Sequence, residues 1–226
     1  VAALPCLKEA RFLDLDTCDL EQERILEIRE AFPDIKVIWR VTFSTGYSVR
    51  TDVKTILASY VGDFGLTDDE SCKPLTYCTD VVNLDLGHNN IMTTLDFVRY
   101  MPNLEVLIVA KDDIKDISAL AECKKLRYLE LFKNPDIRDL SPLASLTELR
   151  DLEIGLLPNV TDLSPLYDLE LDRLWIGTQT PIPAEQVAEY SKRHPNCVIN
   201  LTDDDIDRTW RYLETHGNAA PAVLWP

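Results

Sequence analysis

The sequence is poor in the residues and motifs from which most active sites are built. Its 226 residues include seven glycines, three histidines and two methionines. It contains no P-loop, no G-x-S-x-G or H-E-x-x-H motif, no G-x-G-x-x-G loop and no C-x-x-C pair. These absences give no support to nucleotide binding, serine hydrolysis or a cysteine-bound zinc site. Because no run of 18 apolar residues is present, we expect no transmembrane segment.

Positive charge is also scarce. The 23 Lys and Arg residues stand against 39 Asp and Glu, which gives a formal net charge of −16 at pH 7. Such a surface repels phosphate backbones and anionic lipids, so we expect no nucleic-acid partner. Apolar residues make up 46% of the chain, which is enough for a substantial core.

What the sequence does contain is a leucine phrase that returns every 22 or 23 residues. The phrase L-x-x-L-x-L begins at positions 81, 104, 126, 149 and 171, with Val or Ile in place of some leucines. Self-similarity at this period is typical of a solenoid, whose coils pack only on their neighbours and present one extended surface. The alternation at the end of the phrase predicts a short strand in every coil.

The second half of each coil has a different pattern. Asn89, Asp112 and Asn134 stand at the ninth position, where a polar side chain can satisfy backbone groups of the turn. Leu157 occupies the same position in the next coil, so we expect an interruption there. Apolar residues then recur every three residues, which favours a tight 3₁₀ turn. In the Ser-Pro pair at 141–142 we expect serine to cap this turn and proline to take its first position.

With these features the chain resembles the leucine-rich repeat proteins of the short, 22-residue class, such as the bacterial internalins. Residues 126–154 carry the resemblance best, and it extends over 81–182. It implies an α/β fold: a right-handed solenoid with a parallel strand face on the concave side, short 3₁₀ or helical turns on the convex side, and irregular caps at both ends. It also implies a bacterial protein that is secreted or held at the cell surface. Because the chain begins at Val1, we allow for a signal or lipid-anchor segment removed before it.

We predict four segments along the chain. Residues 1–52 are an N-terminal cap with a helix and strands. Residues 53–182 are the repeats, of which the first, 53–80, is long and irregular. Residues 183–216 are a C-terminal cap, and residues 217–226 are a tail without periodicity. Within the caps the patterns predict helices over 20–32 and 183–193, strands over 35–41 and 197–201, a hairpin or loop over 44–51, and a last helix carrying Ile206, Trp210 and Leu213.

The strand phrase also predicts which side chains lie on the concave side. Side chains of a strand alternate between two faces, so the third, fifth and seventh positions of the phrase point away from the leucine core. These positions hold apolar and aromatic residues ringed by charged ones. Aromatic residues and arginine are enriched at interface hot spots, and an exposed apolar patch with a charged rim commonly marks a partner site. The predicted binding residues are Val106, Ile108, Arg127, Tyr128, Glu130, Phe132, Arg150, Glu153, Arg173 and Trp175.

The same residues also have a purely structural interpretation. Aromatic side chains on neighbouring strands stabilise one another by packing, and a terminal cap can cover them. The glycines at the seventh position, Gly87, Gly155 and Gly177, favour binding instead, because they let a ligand backbone approach closely.

We therefore expect a non-enzymatic module that binds a protein or peptide on its concave face, as a monomer and without a cofactor or metal. One alternative is a structural spacer or scaffold that displays another domain and has no ligand of its own. A second alternative is a hydrolase with its site in the irregular stretch 44–80, using Asp63 or Asp68. No nucleophile and base can be paired in that stretch.

Acidic runs and histidines give two weaker candidates for a metal site. The runs at 68–70 and 203–205 lack the alternating D-x-D-x-D-G loop of calcium sites. Each follows a threonine, which favours a charged first helical turn. His88, His194 and His216 show no spacing typical of metal ligands.

The six cysteines do not indicate whether the protein works in an oxidising or a reducing compartment. Cys72 and Cys78 are close enough in sequence either to form a disulfide bond or to stay as free thiols, and the states of Cys6 and Cys18 are equally open. Cys123 falls on an apolar repeat position, where we expect a small buried side chain.

Overall fold

The computed structural model describes residues 9–44, 46–58, 68–89 and 92–202. The strands are β1 (Phe12–Asp14), β2 (Lys36–Ile38), β3 (Arg40–Thr42), β4 (Ser48–Arg50), β5 (Thr55–Leu57), β6 (Asn83–Asp85), β7 (Val106–Ile108), β8 (Tyr128–Glu130), β9 (Asp151–Glu153), β10 (Arg173–Trp175) and β11 (Val198–Asn200). The helices are α1 (Gln22–Ala31), α2 (Asp69–Cys72) and α3 (Ala184–Arg193). Turns of 3₁₀ helix cover Lys73–Tyr77, Asp96–Tyr100, Ser118–Glu122, Ser141–Ser145 and Ser164–Leu166.

Seven of the described strands form one parallel sheet in the order β11-β10-β9-β8-β7-β6-β5. Each coil adds its strand beside the strand of the preceding coil, and equivalent positions lie in register. Leu129 of β8, for example, pairs with Leu107 on one side and Leu152 on the other. The 3₁₀ turns connect successive strands. The predicted α/β solenoid with a parallel strand face is confirmed.

The N-terminal part is irregular, as predicted. Strands β1 and β2 pair in parallel, and β3 and β4 form an antiparallel hairpin. The single strand predicted over 35–41 is divided at Trp39, whose backbone N–H donates instead to the hydroxyl of Thr51 at 3.3 Å. The predicted segment boundaries at residues 52, 182 and 216 stay predictions.

The leucines of the repeat phrase form the core. Leu126, Leu129 and Leu131 are fully buried, and so are the equivalent side chains of the neighbouring coils. Burying each such side chain stabilises the fold by about 1.5–3 kcal/mol. The core therefore runs as a continuous column from coil to coil beneath the sheet.

A buried asparagine joins adjacent coils, as the ninth-position pattern predicts. The side-chain amide of Asn134 donates to the carbonyl of Leu131 in its own coil at 2.9 Å and to that of Val109 in the preceding coil at 2.7 Å. Its side-chain oxygen accepts the backbone N–H of Ile114 at 3.0 Å. One side chain thus forms hydrogen bonds with three buried backbone groups, which would lower the stability of the fold if they were left unpaired.

The interruption of this ladder at Leu157 is confirmed, and another side chain compensates for it. Asn89 repeats the pattern of Asn134, since it donates to the carbonyl of Leu86 and to one of the preceding coil. The Leu157 side chain has no polar group to offer. Thr180 of the next coil takes over: its hydroxyl donates to the Ile154 carbonyl at 2.7 Å and accepts the Leu157 N–H at 3.1 Å.

Aspartate rather than serine caps the 3₁₀ turns, so the prediction of serine caps is wrong. Ser141 is the first residue of its turn, and Pro142 is the second. The Asp139 carboxylate accepts the Ser141 backbone N–H at 2.7 Å and its hydroxyl at 2.6 Å. The physical reason is that an ionised carboxylate is the stronger acceptor, which leaves the serine hydroxyl to act as a donor. These bonds lower the pKa of Asp139.

Several predictions fall on residues that the structure does not describe. These are the states of Cys6 and Asp63, the acidic run at 203–205, the last helix with Ile206, Trp210 and Leu213, the tail at 217–226, and His216. Among the residues that are described, no helix is both long enough and apolar enough to cross a membrane.

Candidate binding face

The concave face is built by the side chains that alternate with the core leucines on strands β6 to β10. Because the strands are in register, equivalent positions stand side by side: Ile108, Glu130 and Glu153 are consecutive neighbours across three coils. The residues of this face are Asn83, Asp85, Val106, Ile108, Ala110, Tyr128, Glu130, Phe132, Asp151, Glu153, Arg173 and Trp175.

The structure brings eight of the ten predicted binding residues together but does not leave them open to solvent. The exposed fraction is 1% for Val106 and Trp175 and 2% for Tyr128. The expectation of an exposed patch is therefore wrong, because these side chains are buried. Whether these residues bind a partner stays a prediction. The eight are Val106, Ile108, Tyr128, Glu130, Phe132, Glu153, Arg173 and Trp175.

The apolar members of the concave face form one buried cluster of their own. It is distinct from the leucine core on the other side of the sheet, and the partly buried Leu156 packs against it. Lys111 lies beside the cluster, with its ammonium nitrogen 5.9 Å from the centre of the Phe132 ring. A second apolar layer on the outer side of a solenoid sheet is what an interface core looks like. Its members are Val106, Ile108, Ala110, Tyr128, Phe132 and Trp175.

The glycines of the seventh position serve internal packing rather than the approach of a ligand. A methyl group on Gly155 would lie 3.2 Å from the Phe132 ring, so the absent side chain makes room for that ring. A methyl group on Gly87 would lie 3.2 Å from the carbonyl oxygen of Ala110. Gly177 has a φ of +67°, a conformation that favours glycine. The expectation that these glycines admit a ligand backbone is not supported at Gly87 or Gly155.

A buried ion pair crosses two strands of the concave face. Arg173 and Asp151 are in-register partners on β10 and β9, and the guanidinium Nε binds the carboxylate. Sequence reasoning named Arg173 but missed Asp151. The signal was available, since the two opposite charges stand at the same position of consecutive repeats, where they are direct neighbours.

Two buried glutamates form the acidic part of the same face. Glu130 and Glu153 are in-register neighbours with exposed fractions of 1% and 3%. The Tyr128 hydroxyl donates to the Glu130 carboxylate. Like charges directly opposite each other repel, and buried charges require compensation.

The two remaining predicted residues lie at the edge of the sheet where the strands begin. Arg150 is partly buried, and its guanidinium donates to the carbonyls of Leu149 at 2.7 Å and Thr147 at 3.0 Å. Arg127 is exposed. Both residues precede their strands by one position, so they belong to the rim rather than to the buried cluster.

A cleft of about 590 Å³ follows the opposite edge, where the strands end. His88, Lys111, Lys133 and Leu156 line it, and each of them has a positive φ between +55° and +68°. Residues other than glycine adopt this conformation at a cost, which is here repeated once per coil. The cleft thus brings the basic side chains of His88, Lys111 and Lys133 together with the carboxylates of Asp112 and Asp113.

The last described residues turn toward the concave face. After β11, the Asn200 side-chain oxygen accepts the backbone N–H of Thr202 at 2.8 Å and its hydroxyl at 3.1 Å. The carbonyl of Thr202 then accepts the indole N–H of Trp175 at 3.1 Å. Trp175 belongs to the concave face, so the main chain at Thr202 lies against that face.

Asp68, the acid proposed for a hydrolase site that the structure describes, has a structural role, and so has its neighbour Asp69. Asp68 caps α2 and exchanges hydrogen bonds with Ser71, and these bonds lower the pKa of Asp68. Asp69 accepts the backbone N–H groups of Thr93 at 2.7 Å and Thr94 at 3.1 Å. The prediction of a charged first helical turn at this run is confirmed. Within the described ranges, no group of three or more His, Cys, Asp or Glu side chains is placed to hold a metal ion.

The described cysteines are free thiols, so Cys72 and Cys78 do not form a bridge. Burial raises the pKa of each of these two thiols to about 12. Burial also raises the pKa of Cys123, to about 11. Such thiols are not activated nucleophiles, because the thiolate is the reactive form.

These features define a leucine-rich repeat solenoid whose concave side is an apolar and acidic surface. Comparison with solved structures agrees on the fold. An internalin (inlF) from Listeria monocytogenes is similar over 81% of this chain and 58% of its own, with 22% identity and a TM-score of 0.52. An internalin C2 from the same organism is similar over 70% of this chain and 86% of its own, with 20% identity and a TM-score of 0.39. The predicted resemblance to internalin-like repeat proteins is confirmed at the level of the fold.

This chain spans less than two thirds of the length of the first internalin, so the rest of that protein has no counterpart here. No protein-family model and no curated protein matches the sequence.

Proposed function

We propose that this protein is a non-enzymatic module that binds a protein or peptide segment on its concave face. The observation that carries the proposal is the composition of this face: an aromatic and aliphatic cluster beside buried carboxylates, on the side of the sheet opposite the core. An apolar and aromatic centre with charged groups beside it is the composition of the core of a protein interface.

The face also indicates the chemistry of the ligand. Among the described residues, the face carries the carboxylates of Asp85, Glu130, Asp151 and Glu153 and one guanidinium, that of Arg173. A ligand with cationic groups and an aromatic or aliphatic side chain is complementary to this acidic and apolar face in charge and in polarity. We therefore propose a basic and aromatic segment as the ligand.

A peptide-display selection tests the proposal. The full chain is immobilised, peptides of random sequence are selected, and the affinity of the enriched peptide is measured by calorimetry. We expect the paired variant Glu130→Gln and Glu153→Gln to bind about tenfold more weakly or worse, because it loses close charge pairing. Glu148→Gln is the matched control, since Glu148 is an exposed glutamate outside the concave face.

Two results would count against a binding module. If no peptide is enriched, the structural spacer becomes the better interpretation. If the enriched peptide binds all variants equally, the ligand site lies elsewhere on the molecule. Circular dichroism of each variant establishes that the repeats are still folded.

We further propose that the protein acts as a monomer at a bacterial cell surface or after secretion. The support for the location is the resemblance of the repeats to those of internalins. Antibody labelling of intact and lysed producing cells tests it, and labelling that requires lysis would contradict it. Light scattering at several protein concentrations measures the molar mass and tests whether the protein is a monomer.

A further inference from the structure

A second cleft, here called the N-terminal cleft, lies among the elements that precede the repeats. Helix α1, strand β2 and the 3₁₀ turn Lys73–Tyr77 contribute to its walls. Its volume is about 700 Å³, which falls within the range of about 300–1,000 Å³ that is usual for small-molecule sites. None of its lining residues belongs to the concave face, so the proposed peptide binding does not account for it.

Two aromatic rings and an arginine form the centre of this cleft. The rings of Trp39 and Tyr77 lie 5.3 Å apart, measured between their centres, and are inclined by 58°. The guanidinium carbon of Arg29 lies 6.0 Å from the centre of the Trp39 ring and 5.5 Å from that of Tyr77. The rings hold the guanidinium by its face, which leaves its N–H groups in the plane free to donate to a ligand.

The indole N–H of Trp39 is a buried donor without an acceptor among the described residues. Trp39 is 2% exposed, and its main chain is fixed by two hydrogen bonds with Thr51. Its N–H donates to the Thr51 hydroxyl at 3.3 Å, and its carbonyl accepts the Thr51 N–H at 2.9 Å. A rigidly held, unpaired donor in the wall of a cleft lowers stability, and a ligand oxygen that accepts from it removes this cost.

The charges around the cleft favour a neutral ligand. The basic side chains of Arg29 and Lys36 line it together with the acidic ones of Glu30 and Asp34, and Lys36 already forms an ion pair with Asp80. A cationic ligand would meet Arg29 at the faces of the aromatic rings. An anionic ligand would be repelled by the net charge of −16 on the whole chain.

We propose that the N-terminal cleft binds a short neutral saccharide. A saccharide is uncharged, its hydroxyls both donate and accept hydrogen bonds, and its C–H faces pack on aromatic and aliphatic side chains. The cleft offers donors at Arg29 and Trp39 and carboxylate acceptors at Glu30 and Asp34. Half of its lining side chains are polar and half are apolar or aromatic, whereas sites for drug-like ligands are predominantly apolar.

Nuclear magnetic resonance of the full chain with ¹⁵N-labelled tryptophan tests this site. The probes are mono-, di- and trisaccharides of hexoses and N-acetylhexosamines, together with the corresponding uronic acids. We expect a neutral saccharide to shift the indole N–H signal of Trp39, which is assigned by its loss in Trp39→Phe. The signal of Trp175, whose indole N–H donates to the Thr202 carbonyl, should not move. The uronic acids should bind more weakly than the neutral saccharides.

Arg29→Met measures the contribution of the guanidinium, since methionine keeps an unbranched apolar chain and has no N–H donor. We expect the affinity for the best saccharide, measured by calorimetry, to fall about tenfold or more, because a hydrogen bond from a charged group contributes at least that factor. Arg24→Met is the matched control. Arg24 is an exposed arginine of the same helix that pairs with Glu27 and does not line the cleft, so its loss should leave the affinity unchanged.

Several outcomes would overturn the proposal. If no saccharide shifts the Trp39 signal at millimolar concentration, the cleft is not a saccharide site. Uronic acids that bind as tightly as the neutral saccharides would make it a site for anions. Equal weakening by Arg29→Met and Arg24→Met would show that the effect comes from helix α1 as a whole.

The N-terminal cleft and the concave face can be tested separately, because Trp39 reports on the first and Trp175 on the second. A saccharide that shifts Trp175 and not Trp39 would place the saccharide on the concave face and contradict the proposal. A saccharide that shifts Trp39 supports the N-terminal cleft whether or not the display selection yields a peptide for the concave face.

Discussion

Asn134 shows how a single side chain connects two coils. Its amide group and side-chain oxygen together pair three backbone groups that are shielded from water. This role was predictable from the sequence, because a polar residue recurs at the ninth position of a period whose other inward positions are apolar. The substitute for an asparagine in the coil of Leu157 was not predictable, since Thr180 belongs to the next coil and carries no periodic signal.

We predict that Asn134→Ala lowers the free energy of unfolding by about 2–3 kcal/mol, because it leaves buried backbone groups without partners. Urea denaturation followed by circular dichroism measures this change. Asn159→Ala is the control, since the exposed Asn159 side chain donates one hydrogen bond, to the Pro135 carbonyl, and should cost far less. Equal losses in the two variants would contradict the role assigned to Asn134.

The buried thiols give a second prediction at this scale. Burial raises the pKa of Cys72 and Cys78 to about 12, so little thiolate forms at pH 8. Cys18 is exposed. We expect a thiol reagent to label Cys18 quickly in the native protein and to label Cys72 and Cys78 only after unfolding, as located by mass spectrometry. If Cys72 in the native protein is labelled as fast as Cys18, the buried position of Cys72 is contradicted.

At the scale of elements, the strands and turns of the repeats could be predicted from the period of 22 or 23 residues, whereas the residues that cap the turns could not. The phrase places every strand from β6 to β10 correctly because each leucine must reach the same core. Whether Asp139 or Ser141 caps the turn depends on which side chain accepts a backbone N–H of the turn, and the sequence motif contains both residues. Trp39, which divides the predicted strand into β2 and β3, is likewise fixed by a tertiary hydrogen bond with Thr51.

The aspartate cap leads to a prediction with a defined pH dependence. Asp139→Ala should destabilise the protein by about 1 kcal/mol at pH 7, because the turn loses its cap. The pKa of Asp139 is lowered in the folded state, so its contribution is complete above the unfolded value of about 3.9 and is lost as the pH falls through the folded value. The difference between variant and parent should therefore shrink below about pH 3.9.

Asp136→Ala is the control for this measurement. The Asp136 carboxylate lies 3.5 Å from the Lys115 ammonium in an exposed ion pair, which contributes little. Thermal unfolding at pH 7 and at acidic pH distinguishes the two residues. A difference between Asp139→Ala and the parent that stays constant down to strongly acidic pH would argue against a carboxylate cap.

At the scale of the whole molecule, the sequence identified the concave residues but not their burial. Periodicity determines which face a side chain points to, and eight of the ten predicted residues indeed come together. Burial is a tertiary property that depends on which groups pack on the sheet, and the local pattern of the strands does not encode it. The Arg173–Asp151 ion pair could have been predicted, because the two residues occupy the same position of consecutive repeats when the repeats are aligned.

The central claim is that the concave face is the surface that binds. Its most direct test is a nuclear Overhauser measurement on the full chain with ¹³C-labelled tyrosine, in complex with the unlabelled peptide from the display selection. The account predicts contacts between peptide protons and the ring of Tyr128. Contacts to the exposed ring of Tyr100, with none to Tyr128, would place the ligand on the convex side and contradict the account.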